Sequence, residues 1–496
     1  MSAPGDDNDM SSDAKSAAPA SAEKIGLAAW MSRAATELDR TRQDFNPDAV
    51  HDLRVALRRC MAIADLHMAL DPLEAWGEMR KIARRLFKPL GDLRDVQVME
   101  EWIGHLAGAQ DPAAIRLRTY LGDREVELRK LAAEGVASFN RTNWLKLQNR
   151  LAKRSLSLPL EDEVFQQFAL ERWQAAHDLH RQALRNRSRV SFHRLRIGLK
   201  RFRYTVENFL PHRHELWGGD LRLLQDVLGE LHDLFVLWRT ALHIGVLADR
   251  ELRSRWHEHI EEESRARLLA YRSKMVGKES LWPIWRARLP RDRVLQLAAE
   301  ARIRIWASHR DPDFTRTLRV ASLALQLFDG LLREGFTPPA GAEDIRSALY
   351  GAAIMYNVGT KAGGKKGGKS SYKRIRKTRA PLGFPAQLYA LAALTARYRR
   401  GTVGRPKAKH LALFSETQKQ GLRLIAAILC LADAFVVKDH HPIQCLKISR
   451  MADALVIFAA GYRQQAALAR KLAAARHPLE VACRTPILIR PLPEGQ

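Results

Sequence analysis

The sequence predicts an all-α protein that contains a duplicated helical unit. Apolar residues recur mostly at intervals of three and four, the spacing of one helix face, and alternating runs of β-branched residues are few. Proline-containing pairs, from Asn46-Pro47 to Leu289-Pro290, divide the chain into helix-sized segments. A phrase that begins at His51 returns at His193, about 140 residues later, and repetition at such a period predicts a two-fold-like architecture.

The composition is that of a globular chain with a large excess of positive charge. Its 496 residues, 46% of them hydrophobic, are enough for about two or three domains with proper cores. Lys and Arg number 82 against 55 Asp and Glu, so the formal net charge is +27. A chain this basic is expected to bind a polyanion such as nucleic acid, polyphosphate or an acidic membrane surface.

Several other classes of protein are disfavoured. The four cysteines show no paired spacing, which argues against a zinc site or a disulfide framework and favours a reducing cytoplasm. Few aromatic residues lie among the basic runs, so stacking on single-stranded nucleic acid is less favoured. No apolar run approaches the roughly 20 residues of a membrane span, and the N-terminus lacks a signal pattern. We therefore expect a cytoplasmic protein with no membrane partner, no metal and no cofactor.

Composition and helix breaks divide the chain into a tail and two structured parts. Residues 1–22, rich in Ser, Ala, Asp, Gly and Pro, predict a disordered tail. The duplicated region is expected over residues 23–290, with copy one at about 23–150 and copy two at about 160–290. Residues 291–496 form the second part. Its apolar helices are predicted around residues 315–334, 343–358, 385–399 and 416–437.

Each copy of the phrase predicts a helix with a basic face. Positions i, i+3 and i+7 share one helix face and hold these residues in the two copies: His51, Arg54 and Arg58, then His193, Arg196 and Lys200. One such run would equally suit a solvated helix surface. Its repetition at equivalent positions favours a binding surface, because like charges on one face cost about a few tenths of a kcal/mol per pair without an anion.

A second phrase also repeats, as Leu90–Asp95 in copy one and Leu228–Asp233 in copy two. Its terminal aspartates, Asp95 and Asp233, would repel an anion, so we expect them to orient the arginines instead. Ahead of this phrase, copy one carries a dense row of cations that suits the closely spaced charges of a phosphate chain: Arg80, Arg84, Arg85 and Lys88. Copy two has Arg222, Gln225 and Asp226 there, so copy one is expected to supply more charge.

Together these phrases resemble the two halves of a CHAD domain, the conserved-histidine α-helical domain. The resemblance covers about residues 23–290 and implies two pseudo-symmetric four-helix bundles around a basic cavity that binds inorganic polyphosphate. It implies that His51 and His193 face each other across one pseudo-axis. The polyphosphate-binding residues that it implies are His51, Arg54, Arg58, Arg59, Arg84, Arg85, Lys88, His193, Arg196, Lys200, Arg201 and Arg203.

Residues 300–440 resemble the C-terminal HD-type helical domain of exopolyphosphatases. The phrases that carry this resemblance lie at 315–327, 350–359, 389–401 and 421–435. HD hydrolases hold a divalent metal with His and His-Asp ligands, and the metal supplies the activated water. At the corresponding places this chain has Arg316, Tyr356-Asn357, Lys369 and Arg399, and arginine cannot deprotonate to bind a metal.

The resemblance therefore implies a degenerate HD-like domain without metal ligands or catalytic residues. Its basic substitutes, Arg316, Lys369 and Arg399, predict a secondary anion site. The stretch 361–379 is rich in Lys, Arg and Gly and has no acid, which predicts a mobile loop at the mouth of this domain. The remaining histidines, among them His410 and the pair His440-His441, show no clear ligand spacing.

The favoured function is non-catalytic binding of inorganic polyphosphate, with association with polyphosphate granules. Two alternatives stay open. A phosphohydrolase of the exopolyphosphatase type would release phosphate when magnesium or manganese is added. A nucleic-acid-binding protein would let DNA compete with polyphosphate at equal charge concentration.

Overall fold

A computed structural model of the chain describes residues 26–360, 367–399, 411, 414–437, 443–463 and 465–492. The chain divides into two compact units. The N-terminal unit comprises 1–68, 73–165 and 172–288, and the C-terminal unit comprises 289–496 with the short pieces 69–72 and 166–171. The predicted tail at 1–22 lies outside the described residues.

Helices make up the described part of the N-terminal unit. Their bounds are α1 Leu27–Gln43, α2 Pro47–Leu70, α3 Glu74–Leu106, α4 Pro112–Ala137, α5 Arg141–Ser155, α6 Glu163–Asn186, α7 Arg189–Phe209, α8 Pro211–His243, α9 Arg250–Met275 and α10 Leu281–Ala287. The order of lengths repeats, because α3 and α8 both have 33 residues and α4 and α9 both have 26. Each half thus has four long helices followed by a shorter one, as a duplicated sequence requires.

The helix starts follow from local chemistry. Helices α2, α4 and α8 each begin at a proline, whose missing N–H is not needed in the first turn. Asp111 caps α4 by accepting hydrogen bonds from the backbone N–H groups of Ala113 and Ala114. Ser188 caps α7 in the same way through Ser191 N–H. The predicted breaks at proline pairs therefore lie between helices.

The repeated helices α2 and α7 are anchored by their apolar sides. Leu53 and Leu57 of α2 are buried, as are Leu195 and Leu199 of α7. Burial of such side chains contributes about 1.5–3 kcal/mol each. Helix α3 contacts α4 and α8, so the two 33-residue helices meet within this unit. This packing turns the basic sides of the repeated helices away from the apolar core.

The C-terminal unit is also mainly helical. Its helices are α11 Asp292–Ser308, α12 Phe314–Arg333, α13 Ala342–Met355, α14 Gly367–Ile375, α15 Ala386–Arg397, α16 Glu416–Phe435 and α17 Ala466–Cys483. Four of them agree with the predicted apolar helices to within a few residues at each end. The all-α fold class is therefore confirmed. Across the described residues of both units, no helix is long and apolar enough to cross a membrane.

A small sheet in the C-terminal unit was not predicted. Strands β1 Leu446–Met451 and β2 Ala454–Ala459 pair antiparallel, and β3 Ile487–Pro491 pairs parallel to β2. Helix α17 makes the crossover that a parallel pair needs. Gly330 of α12 lets β1 pack closely, because an added Cβ there would lie 2.9 Å from Cγ1 of Ile448. Strands this short give little periodic signal beside long helices, which is why the sequence analysis missed them.

The predicted mobile loop at 361–379 needs a correction. Residues 361–366 lie outside the described residues, but Gly367–Ile375 forms helix α14, in which Tyr372 and Ile375 are buried. Ser371 fixes this helix by donating a hydrogen bond to the Tyr356 carbonyl and accepting one from Gly359 N–H. Gly368 of this helix allows close packing, since a Cβ on it would lie 2.8 Å from the Arg397 carbonyl oxygen.

Candidate polyanion-binding cavity

The N-terminal unit contains a basic cavity of about 440 Å³. Helices α2, α3, α7 and α8 contribute its walls, so both copies of both repeated phrases reach it. Its lining residues are Arg54, Arg58, Arg84, Phe87, Lys88, Gly91, Asp92, Asp95, Met99, Arg196, Lys200, His232, Asp233 and Val236. Six of these side chains are Lys or Arg and three are Asp, so the cavity is positively charged when all of them are ionised.

The six cations stand in three pairs of like charge. Each pair has the spacing i, i+4 on one helix, and the pairs are Arg54–Arg58, Arg84–Lys88 and Arg196–Lys200. Like charges at this spacing destabilise a helix by about 0.2–0.5 kcal/mol per pair. Three such pairs around one cavity are unfavourable unless an anion occupies it.

The guanidinium groups of Arg54 and Arg58 pack against aromatic rings. The Arg54 guanidinium lies 5.5 Å from the centroid of the Phe87 ring, and that of Arg58 lies 5.5 Å from the centroid of Tyr204. The buried Nε atoms of Arg54, Arg58 and Arg196 have no hydrogen-bond partner among the described residues. Buried donors without a partner are costly. The protein therefore does not satisfy these Nε groups, and because they are buried an anion in the cavity would have to bind the terminal nitrogens of the three guanidinium groups.

The glycine of the second repeated phrase keeps the helix surface open. Gly91 lines the cavity, and a Cβ added there would meet no atom within 4 Å. At the equivalent position in copy two, a Cβ on Gly229 would lie 3.9 Å from Nε of Arg196. A larger side chain at either position would occupy space that the cavity or its arginine uses.

Burial, reinforced by neighbouring positive charge, lowers the pKa of two cavity cations. Burial, together with the charge of Arg196 and Arg58, lowers the pKa of Lys200 to about 7, against about 10.4 for an ordinary lysine. Burial also lowers the pKa of Arg54, with Asp95 opposing the change. A bound anion would favour the charged form of Lys200 and raise its pKa again.

The pKa values of two cavity aspartates shift in the opposite direction. Burial raises the pKa of Asp233 to about 6, although Arg196 and Lys200 pull it down. Burial likewise raises the pKa of Asp95, with Arg54 opposing. Each carboxylate is therefore attracted by an arginine of the cavity. This attraction offsets only part of the effect of burial on the pKa of the carboxylate. Protonation of either one removes negative charge from the cavity.

A pair of histidines lies at one side of the cavity, and only His232 of the pair lines it. Nδ1 of His193 lies 3.2 Å from Nδ1 of His232, so one ring donates a hydrogen bond to the other. Both rings also line a smaller pocket of about 200 Å³, and His232 faces the cavity as well. Burial and Arg196 lower the pKa of His232 to about 4, and burial lowers that of His193. Both rings are therefore neutral near pH 7.

Two of the predicted binding residues are instead paired inside the protein. Arg59 forms an ion pair with Glu207 and donates a hydrogen bond of 3.3 Å to Oδ1 of Asn208. Arg203 lies 3.5 Å from the other carboxylate oxygen of Glu207. Glu207 is buried, so these arginines neutralise it. Their guanidinium groups have a structural partner and do not line the cavity.

Four further predicted residues lie elsewhere. His51 and Arg201 are exposed and line none of the cavities described here. Arg85 lines a separate cavity, and His193 lines the smaller pocket. His193 contacts His232, whereas His51 is exposed, and the opposition of His51 and His193 across one axis stays a prediction.

Six of the predicted binding residues line the cavity. Asp95 and Asp233, which were expected to orient arginines, also line it. The lining residues without a predicted role are Phe87, Gly91, Asp92, Met99, His232 and Val236. Gly91, Asp92 and His232 belong to the repeated second phrase, so that repetition was a signal for them. Phe87, Met99 and Val236 carry no comparable signal.

In the C-terminal unit, both terminal nitrogens of the predicted anion residue Arg316 bind acceptors within the protein. Its Nη1 donates hydrogen bonds of 2.7 Å to the Tyr356 hydroxyl and to Oδ1 of Asp433, and its Nη2 donates to the carbonyls of Asp433 and Val436. Burial alone would lower the pKa of Arg316, but Asp433 and Tyr356 raise it.

Arg399, the second predicted anion residue, lies near Arg316. The Arg399 guanidinium lies 5.6 Å from the centroid of the Tyr356 ring, whose hydroxyl accepts a hydrogen bond from Arg316. Nη1 of Arg399 donates to Oδ1 of Asn357 at 3.2 Å, and Asn357 in turn donates to Asp311. Lys369 is exposed on helix α14. The secondary anion site of Arg316, Lys369 and Arg399 stays a prediction.

Within the part of the chain that the structure describes, no group of three or more His, Cys, Asp or Glu side chains could hold a metal ion. His410, His440 and His441 lie outside the described residues. The network around Tyr356 and Asn357 occupies the place where the HD resemblance would put ligands. That resemblance stays a prediction.

The comparison with known families matches the N-terminal part of the chain. The family profile of the CHAD domain matches residues 26–242. Both copies of both repeated phrases lie inside this range, and so does every cavity residue. No curated protein gives a match to the chain. The CHAD resemblance is therefore confirmed over residues 26–242, and this region of the chain carries a CHAD domain.

Proposed function

We propose that the N-terminal unit binds inorganic polyphosphate in the basic cavity and does not cleave it. The observation that carries the proposal is the convergence of six Lys and Arg side chains from both copies on one cavity, and three of these arginines have no hydrogen-bond partner at Nε among the described residues. Guanidinium groups bind phosphate oxygens with charge-assisted, often paired hydrogen bonds. A linear chain of phosphates offers such oxygens at short, regular intervals.

The size and walls of the cavity favour polyphosphate over nucleic acid. A volume of about 440 Å³ suits a small ligand or a segment of a thin chain, and a double helix is too wide to enter it. Single-stranded nucleic acid binds by stacking its bases on free aromatic faces. Here the faces of Phe87 and Tyr204 lie beneath Arg54 and Arg58 and are already in use.

The principal test removes the cavity charge and compares it with an equal loss of charge elsewhere. One variant replaces Arg54, Arg58, Arg196 and Lys200 with glutamine. Its control replaces four exposed cations of the same unit with glutamine, namely Lys81, Lys130, Lys146 and Arg150. Filter binding or gel shift with long-chain polyphosphate should show a large loss of affinity for the first variant only. Equal affinities in the two variants would contradict the proposal.

Two additional measurements separate the alternatives. Duplex and single-stranded DNA, added at equal charge concentration, should compete poorly with polyphosphate for the natural protein. Incubation of polyphosphate with magnesium or manganese should release no phosphate above the level of a protein-free control. Efficient competition by DNA would favour the nucleic-acid function, and steady phosphate release would favour the phosphohydrolase.

Binding should also stabilise the fold, because the anion relieves repulsion among the three pairs of cations. A ligand at one hundred times its dissociation constant adds about 2.7 kcal/mol to the free energy of unfolding. In a cell, the same affinity would carry the protein to polyphosphate granules. Fluorescence microscopy of the tagged protein, with the cavity variant as control, tests that localisation.

A further inference from the structure

We propose that a second cavity beside the first forms the path by which a long polyphosphate chain leaves the binding site. This cavity has a volume of about 610 Å³ and lies against α3, α4 and α5. Its lining residues are Ile82, Arg85, Leu86, Lys88, Pro89, Asp92, Leu131, Glu134, Gly135, Ser138, Phe139, Asn140 and Asn143. This proposal rests on the proposed function. It places part of a long polyphosphate chain outside the central cavity.

The two cavities are adjacent because they share side chains. Lys88 and Asp92 of α3 line both of them. Around the same stretch of helix, Arg84 and Gly91 face the central cavity, whereas Arg85 faces the second one. Neighbouring residues of a helix point about 100° apart, so this stretch presents one face to each cavity and Lys88 stands at the border.

A long polyanion must extend beyond a cavity that accommodates only a short segment. Arg85 and Lys88 supply the cations of the second cavity, and both are exposed to it. The carboxylates of Asp92 and Glu134 also line it and weaken its positive field. We therefore expect weaker contacts there than in the central cavity. Such contacts would add affinity for long chains without affecting short ones.

The equivalent surface of copy two cannot offer the same path. The second phrase aligns Arg85 with Leu223, Lys88 with Asp226 and Asp92 with Glu230. Copy two thus has one apolar and two acidic residues in place of two cations and one acid. Glu230 is further engaged with Arg267, which donates a hydrogen bond of 2.8 Å to it. The duplication makes the path one-sided, and the chain should leave on the side of copy one.

The test measures the binding of a short and a long ligand to two variants, one of which loses a positive charge and the other a negative charge. The ligands are linear tripolyphosphate and long-chain polyphosphate. Arg85→Gln should weaken long-chain binding by about threefold to fivefold, with a salt slope lower by about one. Glu134→Gln should strengthen long-chain binding, because it removes an acid that lines the second cavity alone. Neither should change the affinity for tripolyphosphate. Lys81→Gln is the matched control, since Lys81 is exposed on α3 and lines neither cavity.

The outcomes separate the path from the binding site itself. Suppose that Arg85→Gln and Lys81→Gln have the same affinity for long-chain polyphosphate, while Arg54→Gln has a lower affinity for both ligands. The path is then wrong and the proposed function stands. If Arg54→Gln alters neither ligand, the proposed function fails and the path fails with it. A loss of tripolyphosphate affinity in Arg85→Gln would also overturn the path, because it would place Arg85 at the central site.

Discussion

The two copies of the repeated unit resemble each other in the helix that carries the first phrase and differ in the helix that carries the second. In the first helix, Arg54 and Arg58 correspond to Arg196 and Lys200, and all four line the cavity. In the second helix, copy one adds Arg84 and Lys88 to the cavity. Copy two adds no cation there and contributes His232 and Asp233 instead. Duplication has preserved the positions while the charge has become uneven.

This difference teaches which cations are available to a ligand. Arg59 and Arg203 belong to the same basic stretches as the cavity arginines, yet they are paired with Glu207. In the C-terminal unit, Arg316 is paired with Asp433. The buried Nε of Arg203 lacks a hydrogen-bond partner, as do those of Arg54, Arg58 and Arg196, but only the last three arginines line the cavity. Availability therefore depends on which side chains the packing directs into the cavity, and not on the density of basic residues.

The largest expected effect comes from neutralising each copy in turn. Glutamine at Arg54, Arg58, Arg84 and Lys88 should lower the salt slope of polyphosphate binding by about four, against about two for glutamine at Arg196 and Lys200. The slope comes from affinities measured over a range of salt concentrations. Equal losses from the two sets would show that the unevenness of the cavity has no consequence for binding.

Blocking the cavity without removing charge should have the next largest effect. Gly91→Leu places a side chain in open space inside the cavity, and we expect an affinity loss of about tenfold or more, or about 1.4 kcal/mol. Gly122→Leu is the control, because an added Cβ there also meets no atom and Gly122 lies on α4 outside the cavity. Unchanged affinity in Gly91→Leu would show that the ligand binds elsewhere.

The paired arginines should affect stability and leave binding largely unchanged. Glu207→Gln leaves Arg59 and Arg203 without their counter-ion in a buried position, which should lower the free energy of unfolding by about 3 kcal/mol. Urea titration measures this change, and polyphosphate affinity measured below the transition should stay close to that of the natural protein. A variant that keeps its stability but loses affinity would move Arg59 back to the binding set.

Binding should also depend on pH. Below pH 7 Lys200 gains a proton, and below pH 6 Asp233 loses its negative charge, so both changes make the cavity more positive. Affinity for polyphosphate should therefore rise by about tenfold between pH 8 and pH 5.5. Asp233→Asn should reduce the change of affinity with pH near pH 6 and should raise the affinity at neutral pH. Affinity that falls as the pH is lowered would contradict both assignments.

Binding at pH 8 should also take up protons, because a bound anion restores the charge of Lys200. Calorimetric titration in buffers of different ionisation enthalpy measures this uptake. Lys200→Gln should reduce it, and no difference between the two proteins would show that Lys200 does not titrate with the ligand.

Much of the helical framework could be predicted, and six of the twelve predicted binding residues line the cavity. Proline pairs and apolar spacing placed the helix boundaries, since these are local properties of the chain. The cations at i and i+4 in the first phrase also proved to share a cavity. His51 does not line the cavity, because sharing a helix face with Arg54 does not bring it against a neighbouring helix. The glycines at 367 and 368 suggested a loop, whereas they allow a helix to pack closely.

By itself the sequence determined the all-α class, the duplication and the excess of positive charge at its repeated positions, because spacing and composition act locally. Only the tertiary structure decided which cations have partners. Glu207 lies 148 residues from Arg59, and Asp433 lies 117 residues from Arg316. An ion pair between such distant residues depends on how the helices pack, and the spacing along one helix does not report it. The same packing left Arg54, Arg58 and Arg196 facing an open cavity.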